Sequence, residues 1–321
     1  MEYSITNMFA EKMTENVYVK AFAQGVETEQ RELPPLVSVL LASYNHEKYI
    51  EASVRSVMEQ KGVAFELIVI DDGSPDSSPE ILERLQAELG FTYIHRENKG
   101  LMATMSELLS LARGKYFCSF ASDDIMPAGR LAAQANYLES HPEDPICFGQ
   151  IILMDAEGNH GDEPDSRYTR SIPRITFEEF FLGKRELHGC SEMIRLDVFR
   201  EMGGYDLEYP FEDFPQWLKF LYKYGSLPVL PTLCCYYRVH GDNMSSDRAL
   251  MYGTFLKVLS RYSSHRLYPE AVKIWKSHWF SALCYSDKKE ALRRLPQLAS
   301  FSMAFLKRFP KLFIPKFLLK Q

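Results

Sequence analysis

The sequence has no CxxC pair, although six cysteines are scattered through it at Cys118, Cys147, Cys190, Cys234, Cys235 and Cys284. That spacing argues against a zinc or thioredoxin-type site. The apolar surroundings suit small core residues in a reducing compartment. No stretch of eighteen apolar residues occurs, so no segment reads as a membrane-spanning helix. The first thirty-odd residues carry acids throughout and lack an apolar h-region, unlike a signal peptide. Glycine-rich phosphate loops are missing as well. Neither GxGxxG after the first strand-like run nor GxxxxGK(S/T) is found, which counts against a dehydrogenase or a P-loop ATPase. Positive charge is not in excess: Lys+Arg total 37 against 43 Asp+Glu, a net −6, so no nucleic-acid partner is expected. What remains is a globular composition, 46% hydrophobic and 25% charged over 321 residues, enough for one large domain or two small ones.

Residues 1–35 are mixed and polar, end in Leu33-Pro34-Pro35, and read as a loosely attached arm. The pattern then changes. Leu36–Ala42 is a short apolar run suited to a strand buried on both faces, followed by the polar break Ser43-Tyr44-Asn45. Ile50, Val54, Val57 and Met58 recur at helical spacing. The unit repeats: strand Phe65–Ile70, turn Asp71-Asp72-Gly73-Ser74, and a helix opening with Ser78 as cap and Pro79 in its first position. A strand at Phe91–His95 leads to Asn98-Lys99-Gly100 and a further amphipathic helix, and a strand at Lys115–Ala121 breaks at Ser122-Asp123-Asp124. Such alternation predicts an α/β fold with a doubly wound sheet. In these sheets ligands bind beyond the carboxyl ends of the strands, at a switch point, so the four polar clusters should converge on one cleft. That cleft collects Asp71, Asp72, Asp123, Asp124 and, later, Asp213. Several acids around an anionic substrate make sense if Mg²⁺ or Mn²⁺ mediates, which points to a nucleotide-diphosphate substrate.

Taken together, Leu36–Ala42 with Ser43-Tyr44-Asn45, then Asp71-Asp72-Gly73-Ser74, Ser122-Asp123-Asp124 and Glu212-Asp213 resemble family 2 glycosyltransferases of the GT-A fold, close to their non-processive, inverting, spore-coat-type members. The likeness covers roughly residues 36–245, with a nucleotide-binding half at 36–140 and an acceptor half at 141–245. It implies a GT-A-type doubly wound mixed sheet flanked by helices, with residues 246–321 as a helical C-terminal extension. It also implies roles. Ser43, Tyr44 and Asn45 would line the nucleotide pocket, with Lys99 nearby. Asp72 would accept the N–H of a uracil-type base, Asp123 would hold the ribose, and Asp124 would coordinate Mn²⁺ or Mg²⁺. Asp213 would be the general base of an inverting displacement. The segment Tyr237–Ser245 is similar to one that closes the donor site, where His240 would touch metal or diphosphate and Arg238 would grip phosphate. His188 and Glu212 are candidate acceptor contacts, and Glu192 is a weaker one. Trp217 suits the core better than a sugar platform. Ala121 departs from the Asp that many members carry there.

Two other classes compete with this reading. A sugar-nucleotide nucleotidyltransferase would need a glycine-rich basic loop where Ser43-Tyr44-Asn45-His46 stands, and an inactive binding module has no reason to keep Asp72, Asp124 and Asp213. The expected partners are a nucleotide-sugar donor and a saccharide or lipid-linked saccharide acceptor in bacterial surface polysaccharide or glycolipid assembly. The tail adds one more. After Glu290 it has no acid, but it carries Arg293, Arg294, Lys307, Arg308, Lys311, Lys316 and Lys320 among aromatics and leucines. Pro310 and Pro315 predict short amphipathic helices. Such a stretch suits an anionic membrane surface, hence a cytoplasmic location with peripheral attachment to the inner face of the cell membrane.

Overall fold

A computed structural model describes residues 35–165, 173–241, 247–300 and 302–315. The expected arm before residue 35, residues 242–245 of the closing segment, and Lys316 and Lys320 of the tail lie outside the described residues.

Four parallel strands form the first half: β1 (Val37–Ser43), β2 (Phe65–Asp71), β3 (Thr92–His95) and β4 (Tyr116–Ala121). The connections are α1 (Ile50–Met58), α2 (Ser78–Leu89) and α3 (Leu101–Leu111). Alternate residues of β1 feed different cores. Val37, Val39 and Leu41 join one cluster with Val54, Val57 and Leu82, whereas Leu40 joins another with Ile68, Leu108 and Phe117. Burial on both faces explains why β1, β2 and β4 are apolar runs, whereas the edge strand β3 is only partly buried. Helix α2 begins one residue earlier than expected. Ser78 is its first residue rather than its cap, because the Ser78 hydroxyl accepts the His46 N–H at 3.2 Å, while Asp76 Oδ1 accepts the Ser78 N–H at 3.0 Å.

The chain continues through α4 (Arg130–Ser140), β5 (Ile146–Met154), β6 (Arg174–Thr176), α5 (Phe177–Phe181), β7 (Met193–Arg195), α6 (Leu196–Glu201), α7 (Asp213–Tyr224) and β8 (Ser226–Arg238). One eight-stranded sheet results, in the order β3-β2-β1-β4-β7-β5-β8-β6. The short β7 runs antiparallel to both neighbours, meeting β4 through Tyr116 and Phe117 and β5 through Ile146 and Cys147. Side chains reinforce that narrow junction. The buried Arg130 guanidinium donates to the carbonyls of Cys234 at 2.9 Å and Glu192 at 3.1 Å. Gln134, also on α4, donates to the Ser191 carbonyl at 2.8 Å, and Arg195 donates to the carbonyls of Asp144, Leu138 and His141.

Strand β8 is longer than its expected Cys234–Val239 core. Pro228 and Pro231 interrupt the strand-like reading of its first half, yet Pro228 pairs with Arg174 at the β6 edge. Next to it β5 is irregular around Gly149, where a Cβ would lie 2.2 Å from Cys234 Sγ. All six cysteines are buried and unbridged, as expected of small core residues.

The C-terminal extension comprises α8 (Arg248–Ser260), α9 (Tyr268–Ser286), α10 (Lys288–Arg293), α11 (Leu295–Leu298), α12 (Met303–Arg308) and a 3₁₀ turn at Phe309–Leu312. It has its own small core of Phe280, Leu283, Cys284, Ala291, Leu298 and Phe305. Among the described residues no helix is long and apolar enough to cross a membrane.

Candidate active site

Strands β2 and β4 flank β1, and the chain order reverses between β1 and β4. Their carboxyl ends therefore diverge into a crevice. A cavity of about 500 Å³ opens there, lined among others by Ser43, Tyr44, Asp72, Asn98, Gly100, Ser122, Asp123, Asp124, His188, Glu212 and Asp213. The polar clusters thus meet, although not every residue in them lines the cavity. Asp71, expected among the cleft acids, is fully buried below it. Its carboxylate accepts the Ser74 N–H at 2.8 Å and the Ser74 hydroxyl at 2.6 Å, and His95 Nδ1 lies 3.0 Å away. Asp71 shapes the turn and leaves Asp72 to face the cleft. Gly73 completes the turn at φ +76°, where a Cβ would meet the Asn98 amide nitrogen at 2.8 Å.

Asp72 fixes the far wall. Its Oδ1 accepts the Lys99 N–H at 2.8 Å, its Oδ2 accepts the Gly100 N–H at 2.9 Å, and it pairs with Arg96. A carboxylate offers about four lone-pair sites, so capacity remains for one ligand N–H. Lys99 reaches this site through its backbone, and its ammonium lies 3.9 Å from Glu107. Asn45 sits at φ 59° and gives its N–H to Ser74 Oγ at 2.8 Å, so it shapes the loop behind Tyr44 without lining the cavity. Ser43 Oγ is buried without a hydrogen-bond partner and lines the cleft.

The two aspartates after β4 divide. Asp123 Oδ2 lies 2.8 Å from His240 Nε2, and His46 completes a group whose donor atoms all fall within 4.8 Å of one another. Asp124 is buried deeper. Its Oδ1 accepts the Arg238 N–H at 2.8 Å, its Oδ2 has no hydrogen-bond partner, and its neighbours are Cys190 and Cys235. Burial, then the negative charges of Cys190 and Asp123, push the Asp124 pKa well up. The expected metal pairing of Asp124 with His240 is therefore not the one the fold brings together: the imidazole meets Asp123. Two imidazoles and a carboxylate suit Mn²⁺ better than Mg²⁺, which favours oxygen ligands. Arg238 also departs from expectation. Its side chain is buried and donates to the carbonyls of Asp123, Asp155 and Ala156, with its guanidinium 4.6 Å from the centre of the Tyr49 ring. It braces the acidic loop and does not line the cavity.

On the opposite wall Glu212 and Asp213 open α7. Asp213 Oδ1 accepts the Phe214 N–H at 2.6 Å. Burial raises both acids, and Asp213's charge adds to the effect on Glu212, which reaches about 7. His188 lines the same wall, with Nδ1 2.9 Å from Cys190 Sγ and its ring against Tyr237. Burial opposes ionisation of the Cys190 thiol, but a hydrogen bond with Cys235 and the His188 charge bring it down to about 5. Glu192 lies under the cavity, not in its wall. It accepts from Trp217 Nε1 at 2.7 Å and from Gln216 Nε2 at 3.0 Å, and burial lifts it to about 8. Trp217 is core, as expected.

Sequence reasoning missed His46, Tyr49 and Arg96. His46 follows the Ser43–Asn45 break directly, so its place at the end of β1 was a usable signal. Nothing in the local pattern distinguishes Arg96 from a solvated surface arginine.

A doubly wound mixed sheet with an acid-lined crevice at its switch point, and a helical C-terminal extension, defines a GT-A-type glycosyltransferase. The model of glycosyl transferase family 2 matches residues 38–203, about half the chain, and the chain belongs to that family. It is 25% identical over 286 residues to an uncharacterised glycosyltransferase of Rickettsia typhi, covering 81% of this chain and 88% of that one. The putative teichuronic acid biosynthesis glycosyltransferase TuaG of Bacillus subtilis is 27% identical over 221 residues, 67% of this chain and 83% of the relative. An uncharacterised glycosyltransferase of Rickettsia bellii is much longer, and the 27% identical match spans only 31% of it. Solved structures share the fold, among them the following two. Staphylococcus aureus TarS 1–349 with UDP-GlcNAc has a TM-score of 0.59 at 16% identity, covering 86% of this chain and 80% of that one. The mannosyltransferase PcManGT of Pyrobaculum calidifontis with GDP-Man and Mn²⁺ has a TM-score of 0.55 at 16% identity, covering 93% and 86%.

Proposed function

We propose that the protein transfers a sugar from a nucleoside-diphosphate sugar, with UDP as the carrier, to an acceptor hydroxyl with inversion at the anomeric carbon. The observation that carries this reading is the convergence of Asp72, Asp123 and the Glu212–Asp213 pair on one cavity from separate βα units. Its volume of about 500 Å³ is in the range of small-molecule sites. Asp72 is the base reader, since its remaining acceptor capacity suits the N3–H of uracil. Asp123, His240 and His46 are the set that would hold a divalent cation of the Mn²⁺ type; when bound, such a cation offsets charge on the departing diphosphate. Asp124, tied to the Arg238 backbone, fixes this loop from behind.

Asp213 is the base. It sits at the N-terminus of α7, whose dipole favours its ionised form, and takes the acceptor proton as the hydroxyl attacks. Glu212 and His188 border the acceptor side. With one carboxylate base at the cleft wall, direct displacement on the face opposite the diphosphate gives inversion. A hexosyl or N-acetylhexosaminyl donor is in keeping with TarS, which binds UDP-GlcNAc. The printed role of the Bacillus relative supports a surface-polysaccharide acceptor, saccharide or lipid-linked. The test is nucleoside diphosphate release from a panel of sugar nucleotides, with and without Mn²⁺. UDP release that needs Mn²⁺ and an added acceptor supports the reading. No release from any donor, or release of pyrophosphate from a sugar phosphate and a nucleoside triphosphate, overturns it.

A further inference from the structure

Beside the cleft lies a second group of metal-ligating atoms, separate from Asp123, His240 and His46. One carboxylate oxygen of Asp124 and the sulfurs of Cys190 and Cys235 all fall within 4.8 Å of one another. They come from three distant stretches of chain: the turn after β4, a 3₁₀ turn at Gly189–Ser191, and β8. All three residues are buried, Asp124 and Cys235 completely. Asp124 Oδ1 accepts the Arg238 N–H at 2.8 Å, whereas Oδ2 is enclosed without a hydrogen-bond partner. A buried carboxylate oxygen left open in this way is a place where an ion fits.

The fold holds these three groups in place. Ile125, next to Asp124, exchanges backbone hydrogen bonds of 3.2 Å and 2.9 Å with Tyr236, next to Cys235. The turn that carries Cys190 is pinned from α4, where Gln134 donates to the Ser191 carbonyl at 2.8 Å and Arg130 to the Glu192 carbonyl at 3.1 Å. Arg130 is a buried cation nearby, and its hydrogen bonds go to Gln134 Oε1 and to the carbonyls of Cys234 and Glu192. His188 Nδ1, 2.9 Å from Cys190 Sγ, is within hydrogen-bond reach of that sulfur.

We infer that Asp124, Cys190 and Cys235 form a second metal site, for a thiophilic divalent cation of the Zn²⁺ class. Two sulfurs select against Mg²⁺ and Mn²⁺, which prefer oxygen, and suit Zn²⁺. Tetrahedral zinc, with Zn–S of about 2.3 Å and Zn–O of about 2.0 Å, sets its ligand atoms roughly 3.5–3.8 Å apart. Atoms already within 4.8 Å of one another close around such an ion through small side-chain shifts. The thiols bind as thiolates and release their protons to solvent. Asp124 and Cys190 line the cleft cavity, which gives the ion its entry path. Three protein ligands leave the fourth position to water. Ligand softness thus separates this site from the Asp123–His240–His46 set, which offers nitrogen and oxygen only.

The experiment titrates the full chain, kept reduced with a phosphine and free of nucleotide, with Co²⁺ as a spectroscopic stand-in for Zn²⁺. A saturable thiolate-to-cobalt charge-transfer band in the near ultraviolet is expected. Cys190→Ser and Cys235→Ser should each reduce it, and the paired variant should remove it. Asp124→Asn should keep the band with affinity lowered about tenfold or more. His240→Ala should leave the band unchanged, because nitrogen and oxygen ligands do not produce it. Zn²⁺ should displace the cobalt, whereas Mn²⁺ at the same concentration should not. X-ray absorption of the zinc-loaded parent chain reads the site without any variant, with two sulfurs expected at about 2.3 Å. No charge-transfer band, a band that survives the paired variant when thermal melts show it folded, displacement by Mn²⁺ as readily as by Zn²⁺, or fewer than two sulfurs on zinc overturns the site. No donor and no turnover enter the readout, so the result is independent of glycosyl transfer.

Discussion

Replacing Glu212 with Gln tests the division of labour in the carboxylate pair. Burial and Asp213 hold the Glu212 pKa at about 7 in the folded protein, against an ordinary value of 4.5. A group raised in this way favours the folded state fully below pH 4.5, and the benefit is lost as pH climbs through 7. The difference of about 2.5 units corresponds to roughly 3 kcal/mol at pH 8. Gln resembles the protonated acid and cannot ionise. The variant is therefore expected to match the parent below pH 4.5 and to be about 3 kcal/mol more stable at pH 8, a rise of roughly 5 °C in melting temperature for a chain of this size. Turnover should survive, because Asp213 remains. The measurements are thermal melts from pH 4 to pH 8 and initial rates of nucleoside diphosphate release. A stability difference that does not grow with pH refutes the buried, proton-bearing Glu212. A rate loss of two orders of magnitude makes Glu212 the base instead.

Asp213→Asn should lower transfer by about 10²–10⁴ while leaving UDP affinity intact, and near-parental turnover would remove Asp213 from its role. Asp123→Asn and His240→Ala should each weaken Mn²⁺-dependent UDP binding about tenfold or more by calorimetry. A loss seen only in Asp124→Asn would restore Asp124 as the principal ligand. Asp72→Asn should erode the preference for UDP over CDP, because an amide can donate to the cytosine lone pair that a carboxylate repels; competition binding with the two diphosphates reads this directly.

Strands β1, β2 and β4 were legible because each is largely buried on both faces, which leaves an apolar run in the sequence, and because each ends in a polar cluster; the short edge strand β3, only partly buried, was placed by its position in the alternation. The convergence of those clusters followed from the strand–helix alternation. The roles of adjacent residues were not legible. Asp71 and Asp72 are both acids in one turn, and only their hydrogen bonds send one into the core and the other into the cleft. Which of Asp123 and Asp124 meets His240 was not legible for the same reason: their surroundings come from β8 and the residues after it, more than a hundred residues later. Arg238 was expected to grip phosphate through the resemblance of Tyr237–Ser245 to a segment that closes a donor site. The carbonyls that engage it lie in the loop after β5 and leave no trace in local pattern.

The three-residue strand β7 has a mechanical consequence. It makes the eight-stranded sheet two stiff plates joined at a thin seam, with Asp72 and Asp123 on one plate's edge and Asp213 anchored to the other. A seam with so few backbone rungs would be compliant by itself. Its stiffness comes from Arg130, Gln134 and Arg195, which stitch carbonyls across it. Helix α4, none of whose residues line the cleft, therefore acts as the spacer that sets how far apart Asp72 and Asp213 are held. A fault there would surface as a change in reach between the two halves rather than as the loss of any reacting group.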